Sequence, residues 1–305
     1  MILGISVDGA RAWAALLDSN DAVVARAEST QPETSDAIVE VARETLGTPP
    51  AAAKGASPSA IGIAFPDPDP HSWPPDWSFL SAAVGQHIPI KTLSAGNAAA
   101  LAEVWYGIGR GARDLIAFSI GPCVSAGVIS NGALLSGAHG VASSVAWLAL
   151  NPVEREDYRR FGCLEAEGGS AGIVKRLVWR IKSGDRSRVL DAVGCNFADI
   201  HLDDILKGAR DGDGVSISVI RDTVKYLAMA VSNIAAVIDP EVIVLGGVLQ
   251  SAGDLLLDPI RQECARRMPP AIQERVKIEL SELGPDAAPM GAARFAATGT
   301  QLPQD

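Results

Sequence analysis

The first residues whose types and spacing could do chemistry are Asp8, Gly9 and Arg11, which follow the apolar run 2–7. A carboxylate beside a flexible glycine, with a guanidinium close by, could contact a phosphate group or help to organise a metal ion. The same Asp-Gly pair also favours a tight hairpin turn between two strands. The Asp-Gly pair by itself therefore predicts a hairpin turn that carries these charged side chains.

Two further carboxylates, Asp67 and Asp69, lie in the proline-rich sequence PDPDP of residues 66–70. This sequence follows the apolar run 60–65, so its carboxylates could reach a site at the end of a buried strand. Because prolines fix φ and remove backbone donors, a solvated loop without regular structure is the alternative.

Acidic side chains are missing from the stretch LSAGNAAALAE, residues 93–103, until its last position. No Asp or Glu occurs from Trp77 through Ala102. Small residues after a serine predict the start of a helix. General base chemistry at this helix start would need a carboxylate that the sequence does not supply.

Composition and charge limit the class of protein. The chain has 305 residues, 48% hydrophobic and 20% charged, which suits about two folded domains. A net charge of −10 repels phosphate backbones, so no nucleic-acid partner is expected. No apolar stretch reaches the roughly 18 residues of a spanning helix, so no membrane partner is expected. The cysteines, 123, 163, 195 and 264, form no CxxC pair and predict a reduced, cytoplasmic protein.

The elements that would position these residues recur in two similar cycles. Apolar runs broken by turn residues predict three strands within 2–28, a helix over 34–47, a strand over 60–66 and a helix near 97–107. The second cycle predicts strands over 114–121, 125–130 and 132–137, helices over 170–182 and 214–238, a strand over 241–247, a helix over 253–268, a strand over 276–283 and a closing helix over 288–299. Two such units predict two lobes with a ligand cleft between them.

In their order and local sequence, these segments resemble the ROK family of sugar kinases and sugar-responsive repressors. Five local matches carry the resemblance: NAAALAE (97–103), SNGALLSGAHGVA (130–142), GCLEAEGGSAG (162–172), DPEVIVLGG (239–247) and PMGAA (289–293). The resemblance implies an α/β, two-lobed actin-like ATPase (ribonuclease H-like) fold and a homodimer. It implies two related domains, 1–112 and 113–288, with the C-terminal helix 289–299 packing back on the first.

For the nucleotide side of the cleft, the resemblance implies contacts at Asp8, Gly9, Arg11, Gly121, Gly246 and Gly247. The first phosphate loop has one glycine fewer than the family pattern, so the resemblance leaves two alternatives: a residual phosphate or metal contact by Asp8 or Arg11, or a hairpin turn alone. In the second loop, Pro122 removes an amide donor where the family has glycines and threonine. The glycine pair after the strand 241–247 could lie under an adenine, although folding alone can require such a turn.

For the sugar side, the family's base lies in a motif Glu-Asn-Asp-Ala-Asn, which falls on residues 93–97. The base position is Ala95, so no catalytic residue is expected. A family glutamate of the sugar pocket falls on Ser144, while Glu165 matches a sugar-contacting glutamate that the helix dipole could equally explain. The expected sugar contacts are Glu165, Ser94, Asn97, Ser144 and Asp67.

The family's structural zinc ligands, one histidine and three cysteines, fall on Trp147, Glu156, Tyr158 and Cys163. A single thiol cannot make a closed zinc site, so no metal is expected. Trp147, Tyr158 and Phe161 are expected to supply packing in place of the metal.

These departures predict a ROK-like protein that has lost phosphotransfer and acts as a sugar-binding, regulatory or scaffold protein without a cofactor. The alternative is an active kinase that uses ATP and Mg²⁺ on an unusual sugar or cyclitol. In that alternative Asp8, Asp67 or Asp69 supplies the missing carboxylate.

Overall fold

A computed structural model describes residues 1–8, 11–29, 35–47, 57–66, 77–84, 88–300 and 302. Ten strands lie in these ranges: β1 (Ile2–Asp8), β2 (Arg11–Leu17), β3 (Val23–Ser29), β4 (Ile61–Phe65), β5 (Ile90–Ser94), β6 (Leu115–Ile120), β7 (Ser125–Ser130), β8 (Ala133–Leu134), β9 (Val242–Gly247) and β10 (Lys277–Leu280). The first helices are α1 (Ser35–Gly47), α2 (Ser78–Ala83), α3 (Ala95–Tyr106), α4 (Glu156–Phe161), α5 (Cys163–Gly168) and α6 (Ser170–Lys182). The others are α7 (Arg188–Ala192), α8 (Leu202–Arg210), α9 (Gly214–Ile238), α10 (Val248–Ser251), α11 (Gly253–Ala265), α12 (Pro270–Gln273) and α13 (Ala287–Thr298).

The strands form two sheets of the same topology. The first has the order β3-β2-β1-β4-β5, and the second, taken from its other edge, has the matching order β8-β7-β6-β9-β10. In each sheet the first three strands of the cycle pair antiparallel and the last two add in parallel. The repeated cycle in the sequence is therefore a repeated fold, and the two-lobed α/β prediction is confirmed.

Local sequence explains why the central strands and the longest helix form. Residues 61–64 of β4 and 242–245 of β9 are buried, as expected for parallel strands covered on both faces. Helix α9 begins after Asp213, whose carboxylate accepts a hydrogen bond from the backbone amide of Ser216. The helix ends at Asp239, which adopts the left-handed conformation with φ of 53°.

Helix α13 lies against the first sheet with very little space between them. A Cβ atom on Gly4 of β1 would lie 1.8 Å from the carbonyl oxygen of Pro289. A Cβ on Gly62 of β4 would lie equally close to the carbonyl oxygen of Ala292. Glycine is therefore required at both strand positions for α13 to pack there. The division into domains at residue 112 stays a prediction.

Helix α3 makes a similar close contact with the second sheet. A Cβ on Gly96 would lie 2.1 Å from the carbonyl oxygen of Ala126, and one on Gly127 would lie 2.1 Å from that of Gly96. Gly96 and the small residues that follow it thus allow α3 to pass directly over β7. Across the described residues, no helix is long and apolar enough to span a bilayer.

Candidate functional site

A cleft of about 870 Å³ separates the two sheets. Its walls are built from the ends of β1 and β2, the turn between β6 and β7, the first turn of α8 and the segment that joins β9 to α10. Along one side it is lined by Ala95, Ala99 and Glu103 of α3. These residues are spaced four apart and so share one face of the helix.

The start of α3 presents a methyl group to this cleft. The hydroxyl of Ser94 accepts a hydrogen bond from the amide of Asn97 at 3.2 Å and so caps the helix. Both of these side chains are buried, and neither belongs to the cleft wall, whereas Ala95 does. Their predicted role in sugar binding therefore stays a prediction, and the structure gives them a local role in starting α3.

The register of the first sheet fixes how far Ala95 lies from the nearest predicted carboxylate. Ser6 of β1 pairs with Ala64 of β4, and Phe65 of β4 pairs with Ser94 of β5. Asp8 ends β1, and Pro66 and Ala95 directly follow β4 and β5, so the three residues lie at about the same level of the sheet. With about 4.8 Å between strands, the backbones of Asp8 and Ala95 are roughly 10 Å apart, and Pro66 lies between them.

Asp8 takes part in the turn that joins β1 to β2. Its Oδ1 accepts a hydrogen bond from the amide of Arg11 at 2.9 Å, and the two residues pair across the strands. Arg11 in turn donates to the carboxylate of Glu28 at 3.3 Å. The hairpin interpretation of this Asp-Gly turn is thus seen in the structure, and both side chains also line the cleft. Gly9 lies outside the described residues.

Other carboxylates on the described cleft wall are Glu103, Asp203 and Asp204. Glu103 is 1% exposed, and burial raises its pKa although hydrogen bonds from Ser281 and from the Ile108 amide oppose the shift. It lies eight residues along α3 from Ala95, roughly 12 Å away. Asp204 accepts a hydrogen bond from the amide of His201 at 2.9 Å, which caps α8. At that distance from Ala95, Glu103 does not reach the start of α3, and the carboxylate of Asp204 is engaged at the start of α8.

The turn 121–124 contributes few backbone donors to the cleft. Pro122 has no N–H, and the amide of Val124 donates to Oε2 of Glu165 at 3.1 Å. The carbonyl of Gly121 accepts a hydrogen bond from the amide of Ser170 at 3.0 Å. A cradle of amides for phosphate groups is therefore incomplete in this turn.

Glu165 is held behind that turn, away from the cleft wall. Burial raises its pKa, and the hydrogen bond from Val124 opposes the increase. Ser144 also lies off the cleft wall, and its hydroxyl donates to the carbonyl of Val141 at 2.8 Å. The predicted sugar contacts at Glu165 and Ser144 stay predictions, and Asp67 and Asp69 lie outside the described residues.

The glycine pair at the end of β9 lines the cleft and also has a packing role. Gly247 has a φ of +70°, and a Cβ there would lie 2.1 Å from the carbonyl oxygen of Ile120. The backbone conformation and the neighbouring strand end both require glycine. Of the predicted nucleotide contacts, the structure brings five to one cleft: Asp8, Arg11, Gly121, Gly246 and Gly247.

The residues at the family's zinc position do not fit a zinc ion. Trp147 is 54% exposed and Cys163 is buried. The hydroxyl of Tyr158 donates a short hydrogen bond to Oε1 of Glu167. Across the described residues, no group of three or more His, Cys, Asp or Glu side chains could hold a metal ion. Tyr158 packs as expected at 9% exposure, whereas the packing expected of Trp147 and Phe161 is wrong because both rings are about half exposed.

Sequence patterns left out several residues that the structure brings to the cleft. Glu103 was visible within the NAAALAE match, and its spacing of eight residues from Ala95 was the signal that it shares the cleft face. His201 caps α8, and Asp203 and Asp204 lie in its first turn; the available signal was the helical spacing of the apolar residues 202, 205, 206 and 209 after an acidic start.

Comparison with known proteins agrees with this architecture. A profile described as the ROK family matches residues 77–298. The glucokinase of Halalkalibacterium halodurans is 29% identical over 209 residues, 67% of this chain and 62% of that protein. The xylose repressor of Caldicellulosiruptor bescii is 28% identical over 211 residues, 67% of this chain and 51% of the repressor. The chain therefore spans between half and two thirds of the length of these relatives.

Among solved structures, a ROK family glucokinase from Streptomyces griseus in complex with glucose and AMPPNP superposes with a TM-score of 0.81. It is 23% identical and the match covers 98% of this chain and 99% of that chain. This likeness establishes the fold and agrees with the two equivalent sheets.

Proposed function

The chain belongs to the ROK family, and we propose that it binds a sugar or cyclitol in the cleft without transferring phosphate to it. It would act as a regulatory or scaffold protein whose state depends on that ligand. Relatives named as a glucokinase and a xylose repressor support a sugar-like ligand class. No cofactor is needed for such a role.

The observation that carries this proposal is the methyl group of Ala95 at the cleft end of β5. A hydroxyl group that attacks a phosphate needs a carboxylate within hydrogen-bond reach to accept its proton. Glu103 lies roughly 12 Å from this position along α3, and the backbone of Asp8 lies roughly 10 Å from it across the sheet, so neither carboxylate occupies the place of the family's base. Loss of a general base alone typically lowers the rate by about 10²–10⁴-fold.

The turn 121–124 supports the same conclusion independently. Phosphoryl transfer depends on holding the phosphates in position, mostly through backbone amides and a metal ion. Here one residue of the turn has no amide hydrogen and another donates to Glu165. If Mg-ATP does bind, Asp8, Arg11 and the glycine pair Gly246–Gly247 are the described residues placed to contact it.

We further propose a cytoplasmic homodimer with domains at 1–112 and 113–288, without zinc or a nucleic-acid partner. The net charge of −10 supports the last of these expectations. Gel filtration with light scattering measures the oligomeric state, and metal analysis of the purified protein measures zinc.

Thermal unfolding and a coupled ATP-consumption assay test the proposed function together. A panel of hexoses, amino sugars and cyclitols is added to the protein, with and without Mg-ATP. We expect at least one sugar or cyclitol to raise the unfolding midpoint by mass action and none to cause ATP consumption. Sugar-dependent ATP consumption would overturn the proposal. An increase in the unfolding midpoint with Mg-ATP alone would contradict the inference that the turn 121–124 has too few free amides to hold phosphate groups.

Two matched variants show whether the ligand occupies the cleft. Ala99→Phe places a ring on the cleft face of α3 and should abolish the sugar-induced shift. Val237→Phe adds the same bulk at a position that is 81% exposed near the end of α9 and should leave the shift unchanged. If both variants keep the sugar-induced shift of the parent chain, the ligand binds outside the cleft.

An active kinase of an unusual sugar or cyclitol is the second candidate, and the position of Pro66 favours it. Pro66 lines the cleft between Asp8 and Ala95, so the chain enters the PDPDP segment at the site itself. If the panel shows ATP consumption, Asp67→Asn should abolish it and Asp69→Asn should have a smaller effect. Activity retained in both variants and lost in Asp8→Asn would assign the base to Asp8.

A further inference from the structure

A buried carboxylate, Glu167, lies behind the cleft at the centre of a polar cluster. Its side chain is 4% exposed, and Nη1 of Arg155 donates to its Oε1 at 3.1 Å. The hydroxyl of Tyr158 donates to the same oxygen. On the other side, Nη1 of Arg176 is 3.8 Å from Oε2. The side-chain amide of Asn151 donates a hydrogen bond to the Tyr158 hydroxyl at 3.2 Å.

These contacts connect four helices. Tyr158 belongs to α4, Glu167 to α5 and Arg176 to α6. Nη2 of Arg176 donates to the hydroxyl of Thr223, which lies on α9. Removing one partner of a buried ion pair leaves an uncompensated charge, so the loss of Glu167 would leave the largely buried Arg176 without its carboxylate partner.

The same group of helices holds the cleft turn 121–124 at both ends. Glu165, two residues before Glu167 on α5, accepts the hydrogen bond from Val124. Ser170, the first residue of α6, donates its amide to the carbonyl of Gly121. Gly172 keeps the two helices together, because a Cβ there would lie 2.2 Å from the carbonyl oxygen of Ala166.

We propose that Glu167, with Arg155, Tyr158 and Arg176, is a positioning cluster that sets the conformation of the cleft turn 121–124. The cluster stabilises residues 147–163. This is the segment where the family resemblance implies a zinc ion that the side chains present do not fit. Glu167 acts through α5 and the Glu165–Val124 hydrogen bond, not by contact with a ligand. A consequence for ligand binding rests on the proposed function, because it takes the cleft as the ligand site.

The thiol of Cys123 provides a probe inside the turn. Cys123 is partly exposed and lines the cleft, whereas Cys264 of α11 is buried against α9. Alkylation by N-ethylmaleimide at fixed pH, followed by peptide mass analysis, gives a rate for each cysteine. Local opening of the turn increases the rate at Cys123 alone, and global unfolding increases the rate at Cys264 as well.

Four variants make the test specific. Glu165→Ala frees the turn directly and should raise the alkylation rate of Cys123 by roughly tenfold, and Glu167→Gln should do nearly the same. Tyr158→Phe removes one hydrogen bond and should raise it by about threefold. The control Glu154→Gln removes an exposed carboxylate that Arg159 binds with two hydrogen bonds of 2.7 Å, and should change the rate by less than about twofold.

An unchanged Cys123 rate in Glu167→Gln and Tyr158→Phe would overturn the proposal, as would equal increases at Cys123 and Cys264. If Glu167→Gln does not fold, Tyr158→Phe keeps all three charged groups of the cluster and decides the question. The assay needs no ligand, so it can succeed even if no sugar binds. Where a sugar does bind, Glu167→Gln should weaken its affinity and Glu154→Gln should not.

Discussion

The carboxylate of Glu103 and the hydroxyl of Ser281 form a hydrogen bond that joins residues 178 positions apart. Glu103 lies on the cleft face of α3, and Ser281 follows β10 of the second sheet. The same carboxylate accepts a hydrogen bond from the amide of Ile108 at 3.2 Å. A buried acid thus connects the helix that carries Ala95 to the opposite lobe at the bottom of the cleft.

Replacing Glu103 by Gln should change how stability depends on pH. Burial raises the folded-state pKa of Glu103 above its ordinary value of 4.5, so the folded protein holds this proton more tightly than the unfolded chain. The charged group therefore destabilises the fold increasingly as the pH rises from about 4.5 through the folded-state pKa. Urea denaturation at several pH values should show Glu103→Gln gaining free energy of unfolding relative to the parent over this window, with a plateau above it.

Glu154→Gln is the control for this pH effect. Its hydrogen bonds with Arg159 lower the pKa of the exposed Glu154, so any contribution it makes is lost as the pH falls. The two variants should therefore deviate from the parent in opposite directions. A pH-independent difference between Glu103→Gln and the parent would show that folding does not raise the pKa of Glu103.

The strand and helix pattern could be predicted from sequence where an element has a strong period and a clear start. Helices α6 and α9 have the bounds that their apolar spacing predicted, and both sheets contain the expected strands. Strand β5 was not predicted, because five residues before a small-residue helix give no alternation of their own. The short helices α4, α5 and α7 depend on tertiary contacts, such as those of Tyr158 and Glu167, that no local pattern records.

The candidate site could be predicted only where it follows the ends of strands. Asp8, Gly121 and Gly247 reach the cleft because each comes at or directly after a strand of known position. Glu165 could not be placed in this way, because its direction depends on a hydrogen bond to Val124, 41 residues away. Side-chain contacts between distant segments are set by packing, and sequence spacing does not contain them.

Asp213 should contribute strongly to the stability of the second lobe. Burial alone would raise the pKa of Asp213. Four hydrogen bonds outweigh that effect and lower the pKa; they come from the amides of Ser216 and Arg188 and from the hydroxyls of Ser216 and Ser187. Asp213→Ala should lower the free energy of unfolding by about 2–3 kcal/mol at neutral pH, since it removes a helix cap and leaves buried donors unpaired. Chemical denaturation measures the loss.

The contribution of Asp213 is present above its unfolded-state pKa of about 3.8 and disappears as the pH falls through the lower folded-state value. The stability difference between Asp213→Ala and the parent should therefore shrink only in strong acid. Asp258→Ala removes an exposed pair with Arg261 and should change stability by less than about 1 kcal/mol. Equal losses in the two variants would contradict a special role for the cap.

Gly96→Ala should disturb the contact that sets α3 against the second sheet. Its Cβ would lie 2.1 Å from the carbonyl oxygen of Ala126, so the helix or the strand must move. We expect a loss of about 2 kcal/mol or more in the free energy of unfolding and a smaller sugar-induced thermal shift. Gly214→Ala, which meets no atom within 4 Å, should be neutral or stabilising by up to about 1 kcal/mol. Similar values for both would show that α3 can shift without strain.

Placing a carboxylate at the family's base position should not by itself create a sugar kinase. Ala95 is the first residue of α3, where an aspartate is favoured by the helix dipole, so Ala95→Asp should fold as stably as the parent. A restored base could increase the rate of phosphoryl transfer by about 10²–10⁴-fold only if the phosphates were already held in position. The missing amide of Pro122 and the engaged amide of Val124 leave that positioning incomplete.

We therefore expect the coupled assay to give the same sugar-dependent ATP consumption for Ala95→Asp as for the parent chain. Ala99→Asp is the control, because it adds the same charge one turn further along the same cleft face. Turnover in Ala95→Asp and not in Ala99→Asp would mean that Asp8, Arg11 and the glycine pair position Mg-ATP without help from the turn 121–124. The loss of activity would then depend on one residue, Ala95, and the cleft would have to be considered an intact nucleotide site.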